Sequence, residues 1–176
     1  MSDVKLPGPS PLVKPIATFF GAGLSPKAPG TVGSLAGLGF GMALQALGGP
    51  VALLLGLSLV IAAGFVATEL YMREVMVEDP QEVVIDEVAG QLIALLPLSI
   101  GLWYAEADPM VFFAAWPGWV GAFLAFRLFD IWKPWLVGRA DRMHGAVGVM
   151  LDDLVAGVFA AILVIIAAVI SHGVLM

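Results

Sequence analysis

Most of the residues that could do chemistry lie in one stretch, from Arg127 to Asp153, between two long apolar segments. The stretch holds four of the eight Lys and Arg residues, four aspartates and one of the two histidines. Arg127, Asp130 and Lys133 recur at every third position, which places neighbours in contact on one broad helix face. Charged side chains at the edge of an apolar segment are costly and usually mark a functional site. This pattern predicts binding of a divalent metal and a phosphate group.

Two acidic pairs, Asp86-Glu87 and Asp152-Asp153, share a local pattern that favours close helix packing. The sequences Asp86–Gly90 and Asp153–Gly157 both read Asp-x-Val-Ala-Gly. Because Ala-Gly pairs let helices approach closely, the pattern would bring the carboxylates together. Clustered carboxylates repel unless a cation lies among them, and Mg²⁺ takes carboxylate and phosphate oxygens as ligands. We therefore expect Mg²⁺ to be held by Asp86, Glu87, Asp130, Asp152 and Asp153. The alternative, favoured for a single acid such as Glu82, is an ordinary interhelical ion pair.

Two further features are candidates for phosphate chemistry. His144 has a pKa near neutrality and could protonate a leaving oxygen, or it is an exposed loop histidine. The segment Gly21–Ser34 contains two prolines, four glycines and three hydroxyl residues, which predicts a structured loop. Thr31 or Ser34 could cap the following helix, or the loop could present its N–H groups and hydroxyls to an anion.

Composition places the chain in the membrane class. Of its 176 residues, 60% are hydrophobic and 12% are charged, whereas soluble domains carry about 25% charged residues. The chain has no cysteine, and its net charge of −6 argues against a nucleic-acid partner. The four prolines within residues 1–15 predict a flexible N-terminal arm and do not fit a signal peptide. We expect residues 16–176 to form one membrane-embedded domain in contact with the lipid bilayer.

Five apolar runs predict an all-α polytopic bundle of about four to five helices. The runs are Val32–Leu47, Val51–Thr68, Val88–Trp103, Met110–Phe126 and Leu154–Ile170. The first run is short for a span, so it is either a tilted span or a re-entrant arm. If all five runs span, all eight Lys and Arg residues fall on one side, which indicates a cytoplasmic N-terminus. Three charged groups then converge at the cytoplasmic face: Asp86 with Glu87, Arg127 with Asp130, and Asp152 with Asp153.

Several other activities do not fit the sequence. There is no Walker loop, no aspartyl-phosphate motif after a strand and no cysteine. A covalent intermediate is therefore not expected, and a water oriented by metal is left as the nucleophile. A small transporter or ion channel with an acidic cation site is the alternative function. The centres of three of the apolar runs contain no polar residue beyond Ser58, so they indicate no aqueous path.

Four blocks of sequence resemble the phosphatidylglycerophosphatase A family, in family order, over roughly Ile16 to Val169. The blocks are GLSPKAPGTVGSL, VIDEVAG, FRLFDIWKPW and HGAVGVMLDDLVAG. The resemblance implies a Mg²⁺-dependent phosphatase in the bacterial inner membrane that converts phosphatidylglycerophosphate to phosphatidylglycerol. One departure is that the last block reads Gly145-Ala146 where the family usually has Gly-Gly. Alanine would be strained there if that position required a positive φ.

The resemblance and the charge pattern together give the expected roles of the site residues. Motif positions are occupied by Asp86, Glu87, Arg127, Asp130, Lys133, Asp141, Arg142, Asp152 and Asp153. We expect catalysis from Asp130, Asp152, Asp153 and His144. We expect binding of the substrate phosphate by Arg127, Lys133, Asp141, Arg142, Thr31 and Ser34.

Overall fold

The computed structural model describes residues 10–105, 112 and 114–174, with only the backbone at 172–174. Within these residues the regular structure is entirely helical, which confirms the predicted all-α class. The elements are α1 (Val13–Ala17), a 3₁₀ turn (Ala22–Leu24), α2 (Pro29–Val75), α3 (Ile85–Tyr104), α4 (Trp116–Trp132), α5 (Leu136–Ala140) and α6 (Gly145–Val174). The predicted acidic loop at Glu106 and Asp108 and most of the N-terminal arm lie outside the described residues.

The longest helix, α2, is a hairpin of two arms. Gly48 and Gly49 leave helical geometry with φ values of −167° and 59°, and Pro50 follows them. The positive φ at position 49 favours glycine, and a Cβ there would lie 2.5 Å from the ring of Trp103. The arms, 29–47 and 50–75, correspond to the first two predicted apolar runs.

Contacts made by glycines show that the first arm runs parallel to α3 along its length. In order along the arm, Gly33 meets Val84, Gly41 meets Leu95, and Gly49 meets Trp103. The second arm returns, since Gly64 meets Ile85 at the start of α3. The short first run therefore extends to the far end of the bundle and does not turn back midway.

In the remaining two long helices, α4 and α6, the direction of the chain continues to alternate along the bundle. Helix α4 is antiparallel to α3, because Gly118 meets Leu98 and Phe126 meets Gly90. Helix α6 crosses α3 where Gly157 meets the backbone of Gly90. The beginnings of α2, α3 and α6 and the end of α4 consequently lie at one end of the bundle.

Three of the described helices are long and apolar enough to cross a membrane: Pro29–Val75, Ile85–Tyr104 and Gly145–Ser171. Helix α4 has 17 residues, which is the lower limit, about 17, for a helix that spans a membrane. Leu55, Leu59 and Val66 of the second arm are more than half exposed, as expected of side chains that face lipid. The structure therefore indicates association with a membrane.

The expected loop over Gly21–Ser34 is wrong in its second half, because α2 begins at Pro29. Ala28 occupies the N-cap position with φ 48° and no side-chain cap, so neither Thr31 nor Ser34 caps the helix. Proline is favoured at the first helical position, since its missing N–H is not needed there. Ser34 instead donates a hydrogen bond to the carbonyl of Gly30, at 2.8 Å.

The last helix also begins earlier than its apolar run suggested. It starts at Gly145, so Asp152 and Asp153, which precede the predicted apolar run, lie about two turns inside the helix. Ala146 and Met150 are buried at helical spacing ahead of Asp153, which extends the inward face. The positive φ of 75° belongs to Gly145, and Ala146 is helical, so the anticipated strain is absent. The polar connection between α2 and α3 covers residues 76–84.

The crossing of α3 and α6 predicts that Gly157→Ala destabilises the protein. The added methyl would lie 2.5 Å from the carbonyl oxygen of Gly90, which forces the helices apart. We expect a loss of about 1–3 kcal/mol, typical of overpacking, measured by thermal unfolding in detergent. Gly121→Ala is the matched control, since its methyl meets nothing within 4 Å. Equal melting temperatures for the two variants would contradict the close crossing.

Candidate active site

A cavity of about 340 Å³ opens at the end of the bundle where α2, α3 and α6 begin and α4 ends. Its lining includes one lysine, Lys133, and one histidine, His144. Eight carboxylates also line it: Glu78, Asp79, Asp86, Glu87, Asp130, Asp141, Asp152 and Asp153. All five residues predicted to bind metal therefore face one cavity.

Three of these carboxylates form the tightest group at the crossing of α3 and α6. Asp86, Glu87 and Asp153 each offer an oxygen within 4.8 Å of the others. Asp86 and Asp153 are only 7% and 3% exposed, so little water screens their charges. The contact between Gly90 and Gly157 lies one turn further along each helix, as the repeated Asp-x-Val-Ala-Gly pattern predicted.

Lys133 joins the second acidic pair to the end of α4. Its Nζ donates hydrogen bonds to Asp152, at 2.8 Å, and to Asp141. Burial acts to lower the pKa of Lys133, but its hydrogen bonds to these two carboxylates outweigh burial and raise the pKa above the ordinary lysine value. The lysine therefore stays charged while it holds α6 against the segment after α4.

The expectation that Arg127, Asp130 and Lys133 share one helix face is wrong for Lys133. Helix α4 ends at Trp132, and Lys133 adopts the left-handed conformation with φ 48°. Pro134 follows and disfavours continuation of the helix through Lys133. This turn directs the lysine away from the helix face and toward Asp152.

Arg127 lies behind the cavity and not in its lining. It pairs with Asp130 one turn later, and its Nη1 also donates to Ser34 Oγ at 3.3 Å. Asp130 lines the cavity, so Arg127 holds one of the cavity's acids in place. Ser34 is fully buried at this junction, where its hydroxyl contacts the guanidinium of Arg127.

His144 lies at the rim of the cavity. Its side chain is 88% exposed, and Nδ1 is 3.8 Å from Glu78, which is 82% exposed. The loop between α2 and α3 is held by Tyr71, whose buried hydroxyl donates a hydrogen bond to Glu82. This is a contact with a neutral side chain and not the ion pair expected for Glu82.

Some predicted phosphate ligands are not brought to the cavity. Thr31 and Ser34 lie inside α2, and Arg142 is exposed beside Gly138, so their contacts with phosphate stay predictions, as does that of Arg127. In their place, Pro29 and Gly30 at the start of α2 line the cavity. A helix N-terminus directs unbonded N–H groups outward and favours anions. Glu78 and Asp79 also line the cavity but were not predicted from the sequence. The acidic composition of their loop is the sequence feature that could have indicated them.

The fold and the cavity define a helical membrane protein whose buried acids and single lysine suit hydrolysis of a phosphate ester. The model of one protein family, described as Phosphatidylglycerophosphatase A, matches residues 15–168. The chain belongs to the phosphatidylglycerophosphatase A family and is a phosphoric monoester hydrolase.

Named relatives align over most of the chain. A protein of Escherichia coli K12 named Phosphatidylglycerophosphatase A is 36% identical over 148 residues, covering 83% of this chain and 77% of its own. One of the same name from Haemophilus influenzae is 33% identical, covering 85% and 84%. A Bacteroides thetaiotaomicron protein with the provisional name phosphatidylinositol-3-phosphatase is 37% identical, covering 90% and 95%. No solved structure matches the chain.

The two bonds of Lys133 predict that Lys133→Met lowers stability. The change leaves Asp152, whose side chain is 11% exposed, without its cationic partner. Leaving a buried acceptor unsatisfied costs roughly 1–3 kcal/mol, which thermal unfolding in detergent would detect. Arg139→Met removes the same charge from an exposed position of α5 and should have little effect. The interpretation fails if both variants unfold at the same temperature.

Proposed function

We propose that the chain is a Mg²⁺-dependent phosphatidylglycerophosphatase that acts at the cytoplasmic face of the bacterial inner membrane. The names of the relatives from Escherichia coli and Haemophilus influenzae support this substrate. The observation that carries the proposal is the group of buried carboxylates facing a cavity beside a charged lysine. Hydrolysis would release inorganic phosphate and leave phosphatidylglycerol in the bilayer.

The charge of the cavity explains why a divalent cation would be needed. Eight carboxylates and one lysine would repel a phosphate dianion. Asp86, Glu87 and Asp153 fit Mg²⁺, because a hard cation prefers carboxylate oxygens and these lie within 4.8 Å of one another. When bound, Mg²⁺ would neutralise phosphate oxygens and favour attack by water.

Residues of the chain would bind and orient the phosphate. Lys133 would donate to a phosphate oxygen, with its ammonium group held in place by Asp141 and Asp152. Gly30 at the start of α2 lines the same cavity, and the unbonded N–H groups at a helix N-terminus would favour an anion there. Phosphoryl transfer depends mainly on such positioning and on stabilising charge, which these groups supply.

Proton transfer would use one carboxylate in the cavity and the histidine at its rim. Asp130, fixed by Arg127, would accept the proton of the attacking water. His144 at the rim would donate a proton to the departing oxygen of the lipid, which points back toward the membrane. Spontaneous hydrolysis of phosphate monoesters is among the slowest reactions known, so each of these contributions is needed.

The membrane position of the cavity suits a lipid substrate. Trp132 and Trp135 flank Lys133 and are 69% and 83% exposed. Exposed tryptophans concentrate at the membrane–water interface, which would place the cavity at head-group depth. The asymmetry of Lys and Arg in the sequence supports the cytoplasmic side for this end of the bundle. A head group could then enter while its acyl chains stay in the bilayer.

A panel of lipid phosphates tests the proposed activity. Purified protein in mixed micelles should release phosphate fastest from phosphatidylglycerophosphate, more slowly from phosphatidylinositol 3-phosphate and phosphatidic acid. Release should stop with a chelator and return with Mg²⁺, because without a cation the cavity repels the phosphate. Preference for phosphatidylinositol 3-phosphate would favour the activity named for the Bacteroides relative instead. Full turnover in the chelator would contradict the metal requirement.

A further inference from the structure

Three buried polar groups lie behind the acidic cavity, where α2, α3 and α4 meet. They are Glu87 Oε2, both polar atoms of the Gln91 amide, and Arg127 Nε, and none has a hydrogen-bond partner among the described residues. Gln91 is 0% exposed. Buried polar groups in proteins are nearly always hydrogen-bonded, above all inside a membrane bundle, which bulk water does not reach. These groups therefore indicate a ligand.

The three groups face the same stretch of α2. Gln91 follows Glu87 by one turn of α3, so the two side chains are neighbours on one face. A Cβ on Gly30 would contact Glu87 Oε1 and lie 3.4 Å from Arg127 Nη1, while one on Gly37 would lie 3.1 Å from Gln91 Cβ. Ser34 lies between these two glycines and binds Arg127. Glycines on α2 thus leave room for the polar groups of α3 and α4.

This junction is separate from the cavity. Gln91, Arg127 and Ser34 do not line the cavity, whereas Glu87 does. Glu87 therefore belongs to both the cavity and the junction, and its Oε2 atom is fully buried. Because these polar atoms are buried where three helices meet, a ligand that contacts them must be small.

We propose that Glu87, Gln91 and Arg127 bind one water molecule, through which Gln91 acts as a positioning residue for the Glu87 carboxylate. The hydrogen-bonding capacities are complementary. The water would accept from Arg127 Nε and Gln91 Nε2, and would donate to Glu87 Oε2 and Gln91 Oε1. Four bonds lie within the range of two to four that buried waters make.

The inference rests on the proposed function, because it assigns Glu87 to the cation. When a hydrogen bond fixes one oxygen of a carboxylate, the other oxygen stays directed at the cation. The side chain then loses less conformational freedom when the cation binds. Partners of this kind typically change metal affinity by about 10–100-fold. Gln91 would therefore affect cation binding although it touches neither the cavity nor the substrate.

The test is Mn²⁺ binding, measured by electron paramagnetic resonance in detergent, with thermal unfolding in parallel. Gln91→Leu keeps the shape of the side chain but removes its amide. We expect the Kd for Mn²⁺ to rise about tenfold, with an unchanged or higher melting temperature because a buried polar group is lost. Gln91→Met, which also lacks the amide, should behave in the same way. It replaces the leucine variant in the test if that variant does not fold.

Gln45→Leu is the matched control. Gln45 accepts a hydrogen bond from Ser99 on the same two helices, about 18 Å further along α3 than Glu87. The control should lower the melting temperature and leave the Kd for Mn²⁺ unchanged. A wild-type Kd in both Gln91 variants overturns this inference alone. An equal weakening in Gln45→Leu also overturns it, and a wild type that binds no Mn²⁺ overturns the proposed function with it.

Discussion

The contact between Gly90 on α3 and Gly157 on α6 is the constraint on which the site depends. Neither position has room for a Cβ, so the two backbones touch where a larger residue would separate them. One turn away on each helix, Asp86, Glu87 and Asp153 meet with oxygens within 4.8 Å. Helices in lipid associate by such close packing, since lipid is as apolar as the side chains. The crossing thus provides the packing that holds repelling carboxylates together.

Charge balance then assigns the surrounding residues their tasks. Lys133 offsets Asp152 and Asp141, and Arg127 offsets Asp130. Among the described residues, no lysine or arginine forms an ion pair with the three acids at the helix crossing. That group is the part of the cavity best suited to a divalent cation, with the lysine and the start of α2 nearby for the phosphate. Both basic residues therefore organise the acids, and in our proposal Lys133 also binds substrate.

The sequence was sufficient to predict the helical class, the apolar runs and the meeting of Asp86, Glu87 and Asp153, because hydrophobic runs and the Ala-Gly pairs constrain each of them. The sequence was insufficient to predict the helix boundaries and turns that depend on a few backbone angles. The left-handed turn at Lys133 and the early starts of α2 and α6 each depend on a positive φ at one residue: Lys133, Ala28 and Gly145. Spacing placed Arg127 on a helix face but could not show that Ser34 of α2 covers it. For the same reason nothing in the sequence marked Gln91.

The most direct test of the account is the turnover of Asp153→Asn and Asp86→Asn across a Mg²⁺ titration with phosphatidylglycerophosphate. Each change keeps the size of the side chain and removes the charge that a hard cation requires. Cation binding by these two carboxylates predicts that turnover falls by orders of magnitude while the protein remains folded, and that Glu69→Gln, at an exposed pair with Arg73, stays near wild type. Full turnover of both aspartate variants at limiting Mg²⁺ would contradict it.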